Sequence, residues 1–227
     1  MNQLILPYQK NIKKNFDNFF FEGDNNKLII DNIKKIFLGE HNQIFITGEK
    51  CYGKSHILHS ACNFFDEKKC IYIPLKEKNS FHPDILEGFE NYNLICIDDI
   101  NNIFGEKDWE FKIFVLINKA LEKSKKIIFT SSVKPDKNIV KLQDLQSRLS
   151  WALILGIEEP NEKAKINIMK KTILEHEYNI VPESCDYLMK NRNRSIKSLL
   201  NDIHKVGLYS LSTNKKVTLK NLRAILD

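Results

Sequence analysis

Eight residues, Gly48-Glu49-Lys50-Cys51-Tyr52-Gly53-Lys54-Ser55, constrain this chain more than any others. They fit the pattern GxxxxGK[ST], and the flanks have the required character. The β-rich stretch QIFIT (43–47) precedes the loop, and an amphipathic run from Lys54 to Phe65 follows it. Glycines let the backbone curl so that successive N–H groups face inward, and a helix N-terminus adds its positive end. Such a loop holds the phosphates of a nucleotide. In that reading Lys54 reaches the β and γ phosphates, the Ser55 hydroxyl is a ligand of Mg²⁺, and ADP or ATP is the cofactor. His56, just inside the helix, lies near the phosphates or caps the pocket.

A phosphate loop needs a sheet to carry it. CIYIPL (70–75), LICID (94–98), KIIFTSS (126–132) and ALILGI (152–157) read as four further strands. LICID is almost wholly apolar, as expected of a strand buried on both faces. Helical patterns lie before and between them: Leu28, Ile29, Ile33, Ile36 and Phe37 recur at helical spacing up to Gly39, Pro83 opens a short helix, and 108–123 forms a long one. Strands alternating with helices predict an α/β fold with a parallel sheet sandwiched by helices. After Pro160 the character changes. Residues 160–178, 183–190 and about 195–211, with a last run capped by Thr218, all have helical period, which predicts a smaller all-helical domain over 160–227.

LICIDDI supplies a second half to the site. Asp98 emerges at the carboxyl end of its strand, where open α/β sheets bind their ligands. There it would hold Mg²⁺ through water. Asp99 would stand where a carboxylate orients or deprotonates an attacking water.

The chain opens unlike an ordinary polar terminus. Gln3-Leu4-Ile5-Leu6-Pro7 is an apolar stub within an Asn- and Lys-rich start. By chemistry alone it is either a docking peptide or an edge strand of its own domain. It has no long apolar core or cleavage site, so no signal peptide is expected. The chain has no 18-residue apolar run, so no membrane span is expected. Five cysteines without a CxxC pair read as reduced thiols in a cytosolic protein. The net charge of +6 permits contact with DNA or acidic proteins without requiring either.

The phosphate loop, IDDI, the strand ending in TSS, SRLSW and the helical C-terminal part together resemble the AAA+ ATPases of the replication-initiator clade, the DnaA/Hda family. The likeness runs from about residue 15 to 227, with 15–29 similar to the clade's entry segment near the adenine. It implies an AAA+ core over 15–159, a helical lid over 160–227 and a flexible leader over 1–14. The stub then matches a motif for the DNA polymerase III β sliding clamp, and DNA is reached indirectly through that ring. Arg148 matches an arginine finger offered to nucleotide on a neighbouring subunit. Only four of the 35 basic residues are arginine, so its presence has weight. Ser132 stands where the family usually has a strand-end Asp sensor, and Lys197 where the lid sensor is usually Arg. Both fit a chain that holds nucleotide as a structural ligand while acting on ATP bound by DnaA. The resemblance implies a regulator that shuts off re-initiation, with weak turnover of its own and possible homo-oligomers. The chain ends just after the lid, so the initiator's DNA-reading domain is expected to be absent. An autonomous AAA+ loader or motor, or a DnaA-like origin-binding protein, is the alternative.

Overall fold

The computed structural model describes residues 14–16, 19, 24–65 and 69–226. These divide into two compact units, one running to Glu158 and the other from Glu159.

The first unit is built on five parallel strands: β1 (Gln43–Thr47), β2 (Cys70–Pro74), β3 (Leu94–Asp98), β4 (Lys126–Ser131) and β5 (Leu153–Gly156). Their order across the sheet is β2-β3-β4-β1-β5. Register follows from apolar alternation, since a one-residue slip would turn every side chain to the wrong face. Phe45 pairs with Phe129, and Ile95 with Ile127. These four point to one face, where α3 (Lys107–Glu122) and α4 (Gln143–Ser150) cover them with Trp109, Ile113, Leu116, Leu145 and Leu149. Ile44, Ile46, Cys96 and Ile128 point to the other face. There α1 (Asp24–Phe37) and α2 (Lys54–Phe65) supply Ile29, Ile33, Ile57 and Leu58. The protein is therefore an α/β sandwich with helices on both faces of a parallel sheet, as the strand and helix alternation predicts.

Several details differ from the sequence reading. Residue 75 leaves the predicted strand and begins a 3₁₀ turn over Leu75–Ser80, because Pro74 at the strand end has no N–H for the ladder. The short helix at Pro83 is also 3₁₀ and ends at Leu86. The eight-residue α4 has its own buried pair, Leu145 and Leu149, spaced one turn apart.

The second unit contains α5 (Glu162–Glu175), α6 (Glu183–Asn191), α7 (Ile196–Thr213) and α8 (Leu219–Leu226). Met169, Leu188, Leu199, Ile203, Val206 and Leu222 form its core. Asn161 and Ser195 cap α5 and α7 through their side chains. One isolated parallel bridge, Ile180 with Val217, ties the loops before α6 and α8, a pairing that the helical period of this region does not reveal. Gly207 is fixed by packing, because a Cβ there would lie 2.3 Å from the Tyr178 ring.

Candidate functional site

The site lies at the carboxyl ends of β1, β3 and β4. The loop after β1 leaves the sheet at Gly48, whose N–H donates to Ser131 O on β4 at 3.2 Å. A Cβ at Gly48 would sit 2.0 Å from Ile157 Cγ2, so the chain exits by the only side chain that fits. Farther on, Cys51 and Gly53 adopt positive φ of 73° and 98°. The left-handed turn is cheap for glycine and costs roughly 1 kcal/mol for cysteine. We expect Gly48→Ala to drive the loop off β5, costing about 2 kcal/mol and lowering Tm by about 6 °C in a thermal melt.

Lys54 opens α2 and is nearly buried. Its Nζ donates to the carbonyls of Gly48 at 2.7 Å and Glu49 at 2.9 Å, closing the loop on itself. Burial pulls its pKa below the ordinary lysine value, and the carboxylates of Asp99 and Asp98 push the other way. The ammonium is thus poised between its own loop and two acids.

Asp98 is buried within the end of β3. One carboxylate oxygen accepts from the Tyr72 hydroxyl and the other from the Thr130 hydroxyl. Thr130 Oγ1 also accepts from the Asp99 N–H at 2.9 Å. These bonds fix the plane of Asp98 and aim the backbone of Asp99, which takes a left-handed conformation at φ 51°. Asp99 turns into the cavity, and burial with the neighbouring Asp98 raises its pKa above the usual carboxylate value, against the pull of Lys54, Lys76 and Lys50. A raised carboxyl is a better proton acceptor near neutral pH.

A cavity of about 420 Å³ gathers Lys50, Cys51, Gly53, Lys54, Ser55, His56, Asp98 and Asp99. An adjoining space of about 190 Å³ is lined by Ser132 and Asn101 and shares Lys50, Lys54 and Asp99. Asn101 Oδ1 accepts from the Ser132 N–H at 2.9 Å, so a side chain from the loop after β3 holds the end of β4. His56 lines the larger cavity, with Nε2 3.2 Å from Asn15 O and its ring against Phe19 at 5.2 Å. The size, the cationic floor and the paired carboxylates suit a phosphate chain with a divalent cation. Lys54 and the loop N–H groups would hold phosphate, and Ser55 and Asp98 the metal.

The residues matching the family described as the bacterial DnaA ATPase domain run from 10 to 156. The chain belongs to that family. An uncharacterized protein of Haemophilus influenzae is 29% identical over 229 residues, which cover 99% of this chain and 98% of that one. Among solved structures, domain III of the Thermotoga maritima replication initiation protein DnaA has a TM-score of 0.77 at 24% identity, covering 96% of this chain and 98% of that one. The T. maritima RuvB Holliday junction branch migration motor has the same fold at 12% identity, with a TM-score of 0.65, covering 94% and 71%. The architecture of this DnaA-family chain is therefore the AAA+ fold.

The remaining expected residues of this DnaA-family chain scatter. Glu49 and Tyr52 belong to the loop but do not line the cavity. Arg148 lies on the last turn of α4 and is not among the cavity residues. Its Cζ stands 4.6 Å from the centroid of Trp151, a tryptophan 67% exposed. Lys197 is exposed on the first turn of α7 in the second unit. Gln3, Leu4, Ile5, Leu6 and Pro7 lie outside the described residues. Tyr72, Thr130, Asn101 and Lys76 are site residues that the sequence reading missed. Among the described residues no helix is long and apolar enough to cross a membrane.

Proposed function

We propose that this DnaA-family ATPase domain acts in trans. It holds ADP or ATP with Mg²⁺ in its own cavity, attaches through Gln3–Pro7 to the DNA polymerase III β sliding clamp on DNA, and offers Arg148 to ATP bound by DnaA. Hydrolysis of that ATP would shut off re-initiation in the cytoplasm. The observation that carries this reading is the placing of Arg148. The guanidinium is on the half-exposed last turn of α4, over the ring of an exposed tryptophan, and outside the cavity formed by its own loop and carboxylates.

The residues have separable tasks. Lys54 and the loop N–H groups would bind and orient the phosphates. Ser55 and Asp98 would hold Mg²⁺, which neutralises charge on the phosphate oxygens. Tyr72 and Thr130 keep Asp98 in place. Asp99 can take a proton from water, so slow turnover by the chain itself is compatible with the site. Ser132 offers a hydroxyl and no charge at the strand end, and Lys197 a point charge without the arginine fork, which disfavours efficient turnover. Family membership and the DnaA domain III fold support the initiator pathway.

The test mixes ATP-bound DnaA, clamp loaded on DNA, and this protein. Hydrolysis should accelerate, and removal of residues 3–7 should abolish the acceleration that depends on the clamp. Equal acceleration without those residues would remove the clamp from the scheme. Steady ATP turnover by the isolated chain, unchanged by DnaA and clamp, would favour an autonomous motor.

A further inference from the structure

Three cysteines from three different elements meet beneath the nucleotide site. Cys62 is on α2, Cys70 begins β2, and Cys96 is in the middle of β3. Register accounts for the meeting. Cys70 pairs with Leu94 and Tyr72 with Cys96, so Cys70 and Cys96 lie on one face of neighbouring strands, the face that α2 covers. Their three Sγ atoms all lie within 4.8 Å of one another, and those of Cys62 and Cys70 are 2.8 Å apart. Cys62 and Cys96 are fully buried, and Cys70 is half-buried.

We propose that Cys62, Cys70 and Cys96 form a three-coordinate thiolate site for a soft monovalent cation, Cu(I). Soft sulfur donors select Cu(I) and Zn²⁺ over harder ions. Zn²⁺ sites in proteins are almost always four-coordinate, and among the described residues no fourth cysteine, histidine or carboxylate joins the cluster. Three sulfurs, with no fourth ligand among the described residues, suit trigonal Cu(I), whose binding would draw Cys62 and Cys70 apart from their 2.8 Å contact. Burial, with Cys62 and Cys70 beside it, pushes the Cys96 thiol well above the ordinary cysteine value. Apolar packing alone does not require three thiols to converge from three elements.

The location gives the site a consequence. The three elements it would join carry Lys54 and Ser55 (α2), Tyr72 (β2) and Asp98 (β3). A bound ion fastens them together below the phosphates.

The experiment is an anaerobic titration of the reduced full chain against a colorimetric Cu(I) chelator, with a thermal melt of each sample. Wild type should withdraw one Cu(I) per chain and melt at a higher temperature when loaded. Cys70→Ala and Cys96→Ala should each lose that capacity, and Cys185→Ala, in the second unit, should keep it. Far-UV circular dichroism checks that each variant folds. If Cys96→Ala fails that check, the half-buried Cys70 decides by itself. The site is refuted if wild type withdraws no Cu(I), or if Cys70→Ala withdraws as much as wild type, as binding at Cys51 would allow.

Discussion

Arg148→Ala is expected to lower the stimulated hydrolysis of DnaA-bound ATP by about 10³-fold or more, the scale of a lost arginine finger. The derivation starts from α4. Leu145 and Leu149 form the buried stripe of this helix, and Arg148 flanks it, half-buried, on the last turn, where a cation also suits the helix dipole. Its planar guanidinium lies over Trp151 and pairs with no carboxylate among the described residues, so the fork stays available to phosphate oxygens. Arg148→Lys should fail nearly as badly, because a point charge lacks the fork. Trp151→Ala should cost less. An exposed cation–π contact is worth about 1 kcal/mol, so a drop of roughly fivefold is expected. Binding of nucleotide by the chain itself should stay unchanged, since Arg148 does not line the cavity. Single-turnover hydrolysis of labelled ATP on DnaA, with clamp attachment measured in parallel, makes the check. An Arg148→Ala protein as active as wild type would break the assignment.

What could be read from the sequence divides along a physical line. All five strands were legible as short apolar runs: Phe45, Ile97 and Phe129 lie in strands buried on both faces, while the edge strand β5 is partly exposed and still apolar. The phosphate loop was legible because Gly48, Gly53, Lys54 and Ser55 act within a few residues of one another. The groups that aim the acids were not. Tyr72 and Thr130 meet Asp98 from 26 and 32 residues away, and nothing local marks either as polar machinery. Tyr72 sits in an apolar strand and is indistinguishable there from a packing residue. Asn101 likewise reaches Ser132 across 31 residues. Strand register brings these partners together, and register is fixed only when the whole sheet forms. Helix α4 escaped for another reason: two buried leucines four residues apart are too few to establish a period. The same difficulty applies to the thiols. Cys62, Cys70 and Cys96 look like small apolar residues in sequence and converge only across α2, β2 and β3.

Lys54→Ala should weaken nucleotide binding on the order of a hundredfold while leaving the unliganded fold nearly intact. The two halves of that expectation have different origins. Without ligand, Nζ is held by the carbonyls of Gly48 and Glu49 and faces Asp98 and Asp99. Alanine forfeits those two hydrogen bonds but also removes a cation whose burial is unfavourable, so the terms offset. With ligand, the same ammonium, itself nearly buried, would meet phosphate oxygens. A charge-assisted hydrogen bond there is worth about 3 kcal/mol, which is about two decades in Kd. A second effect adds to the loss. Asp99 is already raised by burial and by Asp98, and Lys54 opposes that rise. Without Lys54 the Asp99 carboxyl shifts further up, and any negative charge it and Asp98 retain faces incoming phosphate without its nearest counter-charge. Thermal melts with and without ADP and Mg²⁺ separate the two halves. Wild type should gain stability with ligand concentration as mass action requires, whereas Lys54→Ala should melt close to unliganded wild type and respond little to ADP. A variant that melts near wild type and gains as much from ADP would mean that phosphate is held by the loop N–H groups without this ammonium.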